Sequence, residues 1–232
     1  MRRPLLRRLA WLTGALLLAL ALVQGWYFAH VWWWRDHDPA MTSFMRIRLD
    51  ALREQGPNAR LAHRWVPYER ISPHLKRAVV AAEDDRFMDH YGVDWTGIQR
   101  AIERNRERGG RVAGGSTITQ QLAKNLFLSP TRSYVRKAQE TVIALMIEAT
   151  WSKRRILEVY LNVVEWGDGI FGAEAGALHH YGLSADRLGP VEATQMAVML
   201  PNPRHYAESF GPRLAAQAER VRARMIYTRI PD

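Results

Sequence analysis

Residues 114–125 read GGSTITQQLAKN, and the fold class turns on how this stretch is parsed. Extended upstream to Gly110, it has the outline of a phosphate-binding loop, G-x-x-x-x-G followed by Ser116 and Thr117. Such a loop requires a β-strand before it and a nucleotide-binding α/β fold around it. The lysine that should precede the hydroxyl residue is missing, and no strand pattern leads in. What remains is a Gly114-Gly115 turn entering a helix at Ser116 or Thr117, with Thr117 and Gln120 spaced for a capping box. A helix entry of this kind offers free amides and a positive dipole end to an anion. Ser116, Gln120 and Gln121 add neutral groups suited to sugar hydroxyls and amides, and Lys124 adds a charge.

Outward from this helix, expected over Thr117–Phe127, the pattern stays helical. Ser72-Pro73 is an N-cap followed by proline at the first helical position, which predicts a helix running through Ala78–Phe87. Thr96 to about Arg108 reads as the next, stopped by Gly109-Gly110. Ser129-Pro130 predicts the start of another that runs to Trp151. Further helices are expected over Lys153–Asn162, Ala173–Tyr181, Val191–Leu200 and Arg213–Thr228. Alternating β runs are nearly absent and no internal repeat is visible. The fold class is therefore mainly α, a single helical domain behind one N-terminal transmembrane helix.

The 232 residues suit one domain plus an appendage, and 47% hydrophobic residues support a real core. A net charge of +10 points to anionic partners. The absence of cysteine excludes disulfides and thiolate metal sites. MRRPLLRR carries four arginines in its eight residues, and Leu9–Ala29 contains no Asp, Glu, Lys or Arg. Those 21 residues span roughly 31 Å as a helix, enough for a bilayer core. Trp26, Tyr27, Phe28 and Trp32–Trp34 form an aromatic belt at its far end. A cleaved signal peptide is the competing reading, because Ala19-Leu20-Ala21 resembles a cleavage site, but an aromatic belt serves an anchor and not a leader. The chain divides into a cytoplasmic basic tail (1–8), a transmembrane anchor (9–31), a juxtamembrane connector (32–63) and a catalytic domain (64–232). The arginines ahead of the span leave that domain on the outer face.

AVVAAEDDRFMDHYG, residues 78–92, places Glu83 with Val79, Val80 and Phe87 on one helical face, while Asp84 and Asp85 turn away. A carboxyl beside apolar groups has its pKa raised, which suits a general base or acid. The alternative is a boundary Glu that reaches water. Three consecutive acidic residues also raise the question of a metal, but Arg86 beside them and the lack of a second acidic cluster argue for none. His90 could be a ligand or base, although such a histidine more often packs or hydrogen-bonds structurally. Arg132, Arg136 and Glu140 fall at i, i+4 and i+8, with Lys137 adjacent and Lys124 upstream. This is either a solvated face or a ladder of cations for phosphate oxygens. Glu140 beside cations should stay ionised while Glu83 protonates more readily, a pairing used in glycosyl chemistry. The ladder adds a phosphorylated leaving group.

Together the segments AEDDRFMDHYGVD, GGSTITQQLAKNLF, RKAQETVIALMIE, ILEVYLNVVEWGDGIFG and AVMLPNPRHY resemble the family-51 glycosyltransferases, the peptidoglycan polymerases, in family order over about residues 64–206. RWVPYERISPHLKRAVVAAED is similar to the family's monofunctional, membrane-anchored members. The resemblance implies a lysozyme-like helical domain on the outer face of the cytoplasmic (inner) membrane, acting on lipid II and the growing glycan strand. It implies that Glu83 is the base that deprotonates the acceptor 4-hydroxyl, and that Glu140 orients groups around the diphosphate. Lys124 and Arg132 would neutralise that diphosphate. Ser116, Gln120 and Gln121 would contact sugar and phosphate, with Arg136 and Lys137 in support.

Many bifunctional members carry a tyrosine near Glu165, which is taken here as structural. No S-x-x-K, S-D-N or K-T-G motif of a transpeptidase occurs in these residues, so glycan polymerisation without crosslinking is expected. No tightly bound cofactor is expected; a divalent cation (Mg2+ or Mn2+) accompanying the diphosphate is compatible with the reading. Further partners would be cell-wall synthesis or division proteins, not nucleic acid, because the basic residues are dispersed and no nucleic-acid module occurs. The competing functions are a membrane-tethered muramidase, which needs no diphosphate ladder, and a non-catalytic membrane scaffold.

Overall fold

The computed structural model describes residues 2–107 and 115–232. The Gly109-Gly110 helix stop, Gly110 of the rejected phosphate loop and Gly114 of the opening turn lie outside the described residues. Helix α1 (Arg2–Trp34) belongs to a first unit, Met1–Asp38, and its segment Leu6–Trp34 is long and apolar enough to cross a membrane. Pro39–Asp232 forms the second unit.

The second unit is mainly helical, as its patterning predicts. It contains α2 (Ser43–Gln55), α3 (Pro73–Glu83), α4 (Trp95–Glu107), α5 (Ile118–Phe127), α6 (Tyr134–Thr150), α7 (Lys153–Val163), α8 (Ala173–Tyr181), α9 (Pro190–Met199), α10 (Pro203–Glu208) and α11 (Pro212–Met225). Most starts are set by local chemistry. The hydroxyls of Thr42, Ser72, Thr117, Ser133 and Ser152 each accept from a first-turn amide of the helix that follows. At α5 the capping box is complete in both directions between Thr117 and Gln120.

Two boundaries differ from expectation by four residues or more, and α11 ends at Met225, three residues short of the expected Thr228. Helix α3 ends at Glu83 instead of running to Phe87, because the chain leaves helical geometry at Asp84 and re-forms as a short 3-10 turn, Phe87–Asp89. Helix α6 begins after Ser133, not at Ser129-Pro130. The Ser129 hydroxyl is engaged with that of Thr131 at 2.5 Å, whereas the Ser133 hydroxyl accepts from the Arg136 amide at 3.0 Å and so caps the helix.

Helix α3 packs against α9 and α11, and α5 packs against α6 and α7. Leu75, Val79 and Val80 of α3, Leu122 of α5, Ile143 and Ile147 of α6, and Ile156, Leu157 and Val159 of α7 are fully buried. Three short strands close one edge: β1 (Ala62–His63) runs parallel to β3 (Ile170–Phe171), and β2 (Glu165–Gly167) is antiparallel to β3. Strands of two or three residues are too short to show alternation, so no sequence pattern announced them. Asn162 fastens this edge to α7: its amide donates to the Val66 carbonyl at 2.9 Å and accepts from the Val66 amide at 3.0 Å. Glu165 accepts from the Gly169 amide at 3.3 Å and lies 3.8 Å from Arg48 and 3.9 Å from Arg204. These contacts suit a brace of the β2–β3 turn.

Gly172 joins β3 to α8 with φ +84°, and a Cβ there would sit 2.7 Å from the Asn162 carbonyl oxygen. Gly172→Ala should therefore destabilise the fold by about 1–3 kcal/mol. Gly56→Ala, at an extended position with open space, should change it by no more than about 0.5 kcal/mol. Denaturant unfolding of the full chain in detergent compares the two.

Candidate active site

The site is assembled where the C-terminus of α3 meets the N-terminus of α5. Asp84, the residue after the helix, turns inward and is buried; this corrects the expectation that it faces away with Asp85, which is exposed. One Asp84 oxygen lies 2.9 Å from His90 Nε2, and the other accepts from the Ile118 amide at 3.0 Å. The second contact places a carboxylate on the first turn of α5, where free amides and the helix dipole favour it. Thr117 adds a further tie by donating its hydroxyl to the Gly92 carbonyl at 2.7 Å. His90 is thus engaged at Nε2, and its carbonyl accepts from Lys153 Nζ at 2.7 Å.

With the two helix ends fastened, α5 presents Gln121 and Lys124 to Glu83. Gln121 Nε2 donates to Glu83 Oε2 at 2.7 Å. The Glu83 carboxyl is pushed above its ordinary pKa by burial, and Asp84 pushes the same way. The Gln121 hydrogen bond and the Lys124 charge draw it back only in part. Lys124 is held below its ordinary value by burial. The charges of Arg136 and Lys137 depress it further, while Glu140 and Glu83 oppose that shift. Its ammonium lies 5.4 Å from the ring centroid of Phe44 on α2, within cation–π range.

Glu140 is the centre of the cationic cluster. Its side chain is only 3% exposed; one oxygen accepts from Arg136 Nη1 at 2.6 Å and the other from Lys137 Nζ. Lys137 also donates to the Ser116 hydroxyl at 2.9 Å. Ser116, Gln121, Lys124, Arg136, Lys137, Glu83 and Glu140 are therefore linked by direct contact or by mutual electrostatics.

Two expected members stand apart. Arg132 precedes the Ser133 cap, so it is not on the helical ladder; it is exposed and has no hydrogen bond or ion pair among the described residues. Gln120 is 2% exposed and turned into the fold, with its carbonyl accepting from the Thr117 amide at 3.2 Å and its amide donating to Thr141 at 3.3 Å. The capping box consumes the group that was expected to face a sugar.

Sequence reasoning turned Asp84 away from the site and passed over Phe44 and Tyr160. Tyr160 on α7 is fully buried, and its hydroxyl donates to Gln121 Oε1 at 3.0 Å. In the sequence it falls on an apolar stripe of α7 and looks like core. Among the described residues, no three His, Asp or Glu side chains gather as metal ligands.

A family model described as Transglycosylase matches residues 50–229. The chain belongs to the transglycosylase family. It is 69% identical over 224 residues to a protein of Azoarcus sp. (strain BH72) named biosynthetic peptidoglycan transglycosylase, a match covering 95% of this chain and 97% of that protein. Proteins of the same name from Aromatoleum aromaticum and Janthinobacterium sp. (strain Marseille) are 62% and 52% identical, over 94% and 98% of this chain and 96% and 99% of theirs. The match to the transglycosylase family spans every residue of the cluster, from Glu83 through Glu140.

Asp84→Ala would leave His90 Nε2 and the Ile118 amide without their buried acceptor. It should cost about 2–5 kcal/mol, against no more than about 0.5 kcal/mol for the exposed Asp85→Ala. Chemical unfolding of the two variants side by side measures the difference.

Proposed function

We propose that this chain is a membrane-anchored peptidoglycan glycosyltransferase that polymerises glycan strands from lipid II. The observation that carries the reading is the position of Lys124. It lies in the field of Glu83, whose carboxyl is raised in pKa, and in the field of Glu140, which gathers Arg136 and Lys137. One cation thus connects a proton acceptor with a cluster suited to a diphosphate.

In this reading Glu83 removes the proton from the 4-hydroxyl of the acceptor N-acetylglucosamine. The oxygen attacks the anomeric carbon of the donor's N-acetylmuramic acid. That carbon's bond to the α-linked undecaprenyl diphosphate breaks, and a β-1,4 bond forms with inversion. The bonding pair leaves on the diphosphate, where Lys124, Arg136 and Lys137 neutralise it. Arg132, exposed just ahead of α6, joins them when the anion is bound. Gln121 holds the base in position, and Ser116 supplies a hydroxyl at the Lys137 end of the cluster. A divalent cation would enter on the diphosphate oxygens, not in a protein cage. The arginines of the basic tail orient α1 so that the catalytic unit lies on the outer face of the inner membrane. There it would meet its lipid-linked substrate and other cell-wall synthesis or division proteins.

Glu83→Gln should lower polymerisation of lipid II in detergent by about 10²–10⁴-fold with the unfolding midpoint retained. Wild-type rates in that variant would remove Glu83 as base, and short glycans in place of polymer would favour a muramidase. The pH dependence has a definite sign. A base acts only when deprotonated, and burial raises the Glu83 pKa, so kcat/KM should fall on the acid side at a pH above the ordinary glutamate range. A rate profile over pH 4–9, taken with Lys124→Ala for loss of turnover, checks both parts of the site.

A further inference from the structure

We propose that Tyr160 is a positioning residue for the transfer reaction: its hydroxyl orients the Gln121 amide so that the NH2 end, and not the carbonyl, faces Glu83. The proposal rests on the reading of Glu83 as the base. Tyr160 Oη donates to Gln121 Oε1 at 3.0 Å, and Gln121 Nε2 donates to Glu83 Oε2 at 2.7 Å. The two ends of an amide have nearly the same shape, so packing alone does not choose between them. A hydrogen-bond donor at one end does choose. A phenol fixed in the core selects the carbonyl, and the donating end is then presented to the carboxylate.

The surroundings allow Tyr160 to do this and little else. Its ring is fully buried on α7, and burial together with the negative charges of Glu83 and Asp84 holds the phenol well above its ordinary pKa. It therefore stays protonated and remains a donor while Glu83 titrates. Two charged groups act on Glu83. Lys124 on α5 favours the ionised form, and Asp84 opposes it. Arg224 on α11 spends its guanidinium on the Ala81 carbonyl at 3.2 Å. Helix α9, which also packs along α3, carries one charged residue, Glu192, in its first turn. Gln121 is thus the one neutral group that hydrogen-bonds Glu83 among the described residues, and its orientation decides whether it stabilises the carboxylate or repels it.

A merely structural tyrosine and an orienting one differ in what its loss does to the pH profile. In Tyr160→Phe the ring volume is kept and the amide is released to turn over. If its carbonyl faces Glu83, the ionised base is disfavoured and its apparent pKa rises. The acid limb of kcat/KM for lipid II polymerisation should move to higher pH by roughly half a unit to one unit, the shift an ordinary neutral hydrogen bond supports. Gln121→Leu should move it in the same direction, and the double variant should move it no further than Gln121→Leu alone.

An acid limb that superimposes on wild type in Tyr160→Phe overturns the proposal, even where the rate falls. Additive shifts in the double variant overturn it as well. Gln121 is only part-buried, so Gln121→Leu and the double variant compared in one unfolding series keep the cycle interpretable should Tyr160→Phe lose stability. Glu83→Gln measured beside them separates the two readings. Full activity there sinks the base itself, whereas lost activity there with an unmoved Tyr160→Phe limb sinks only the role of Tyr160.

Discussion

A single buried carboxylate, that of Asp84, holds the site together. It accepts from the histidine of the following turn with one oxygen and from the first amide of α5 with the other. The last residue of α3 is thereby set against the first turn of α5. Glu83 is adjacent to Asp84 in the chain, so wherever Asp84 is tied, Glu83 is placed. Gln121 and Lys124 lie within the first two turns of α5, so they follow from the same anchor. A buried carboxylate is suited to this task because it has several acceptor positions, and leaving any one donor unpaired in the interior is costly.

The cationic half of the site faces a different constraint. Lys124, Arg136 and Lys137 repel one another: burial holds Lys124 below its ordinary pKa, and the charges of Arg136 and Lys137 push it lower. Glu140 offsets it by accepting from two of the three while remaining inside the protein. Cations held by an internal carboxylate keep their positions before any anion arrives. Less reorganisation is then required when negative charge develops nearby. Phe44 contributes from α2, so the segment directly after the N-terminal helix takes part in shaping the Lys124 environment.

The parts of this molecule that were legible in the sequence are those governed by interactions within a few residues. Thr117 and Gln120 announce their helix because both halves of a capping box lie within four positions. Glu140 and its cations sit on one helix at spacings of three and four, so their pairing could be read directly. The parts that were not legible depend on partners far along the chain. Asp84 and Asp85 are the same residue type side by side, and only the amide of Ile118, 34 positions away, separates the buried one from the exposed one. Arg132 was placed on α6 because Ser129-Pro130 and Ser133 are both credible caps, and the contact between Ser129 and Thr131 decides between them. Tyr160 was invisible for the converse reason: its ring obeys the core pattern, and its function resides in one hydroxyl contact 39 positions upstream.

The same geometry bears on transfer against hydrolysis. Cleavage of a glycosidic bond by paired carboxyls requires one of them to deliver a proton to a poor leaving oxygen. Glu140 is badly suited to that role, because both of its oxygens are occupied by cations and its side chain is buried. A diphosphate needs no such proton, since it already departs as a stable anion and gains from cations around it. A site with one carboxyl raised toward neutrality and a second committed to holding cations fits a reaction in which a base acts at the acceptor and charge neutralisation acts at the donor. The asymmetry between the two glutamates, more than the presence of either, favours glycan polymerisation over glycan cleavage.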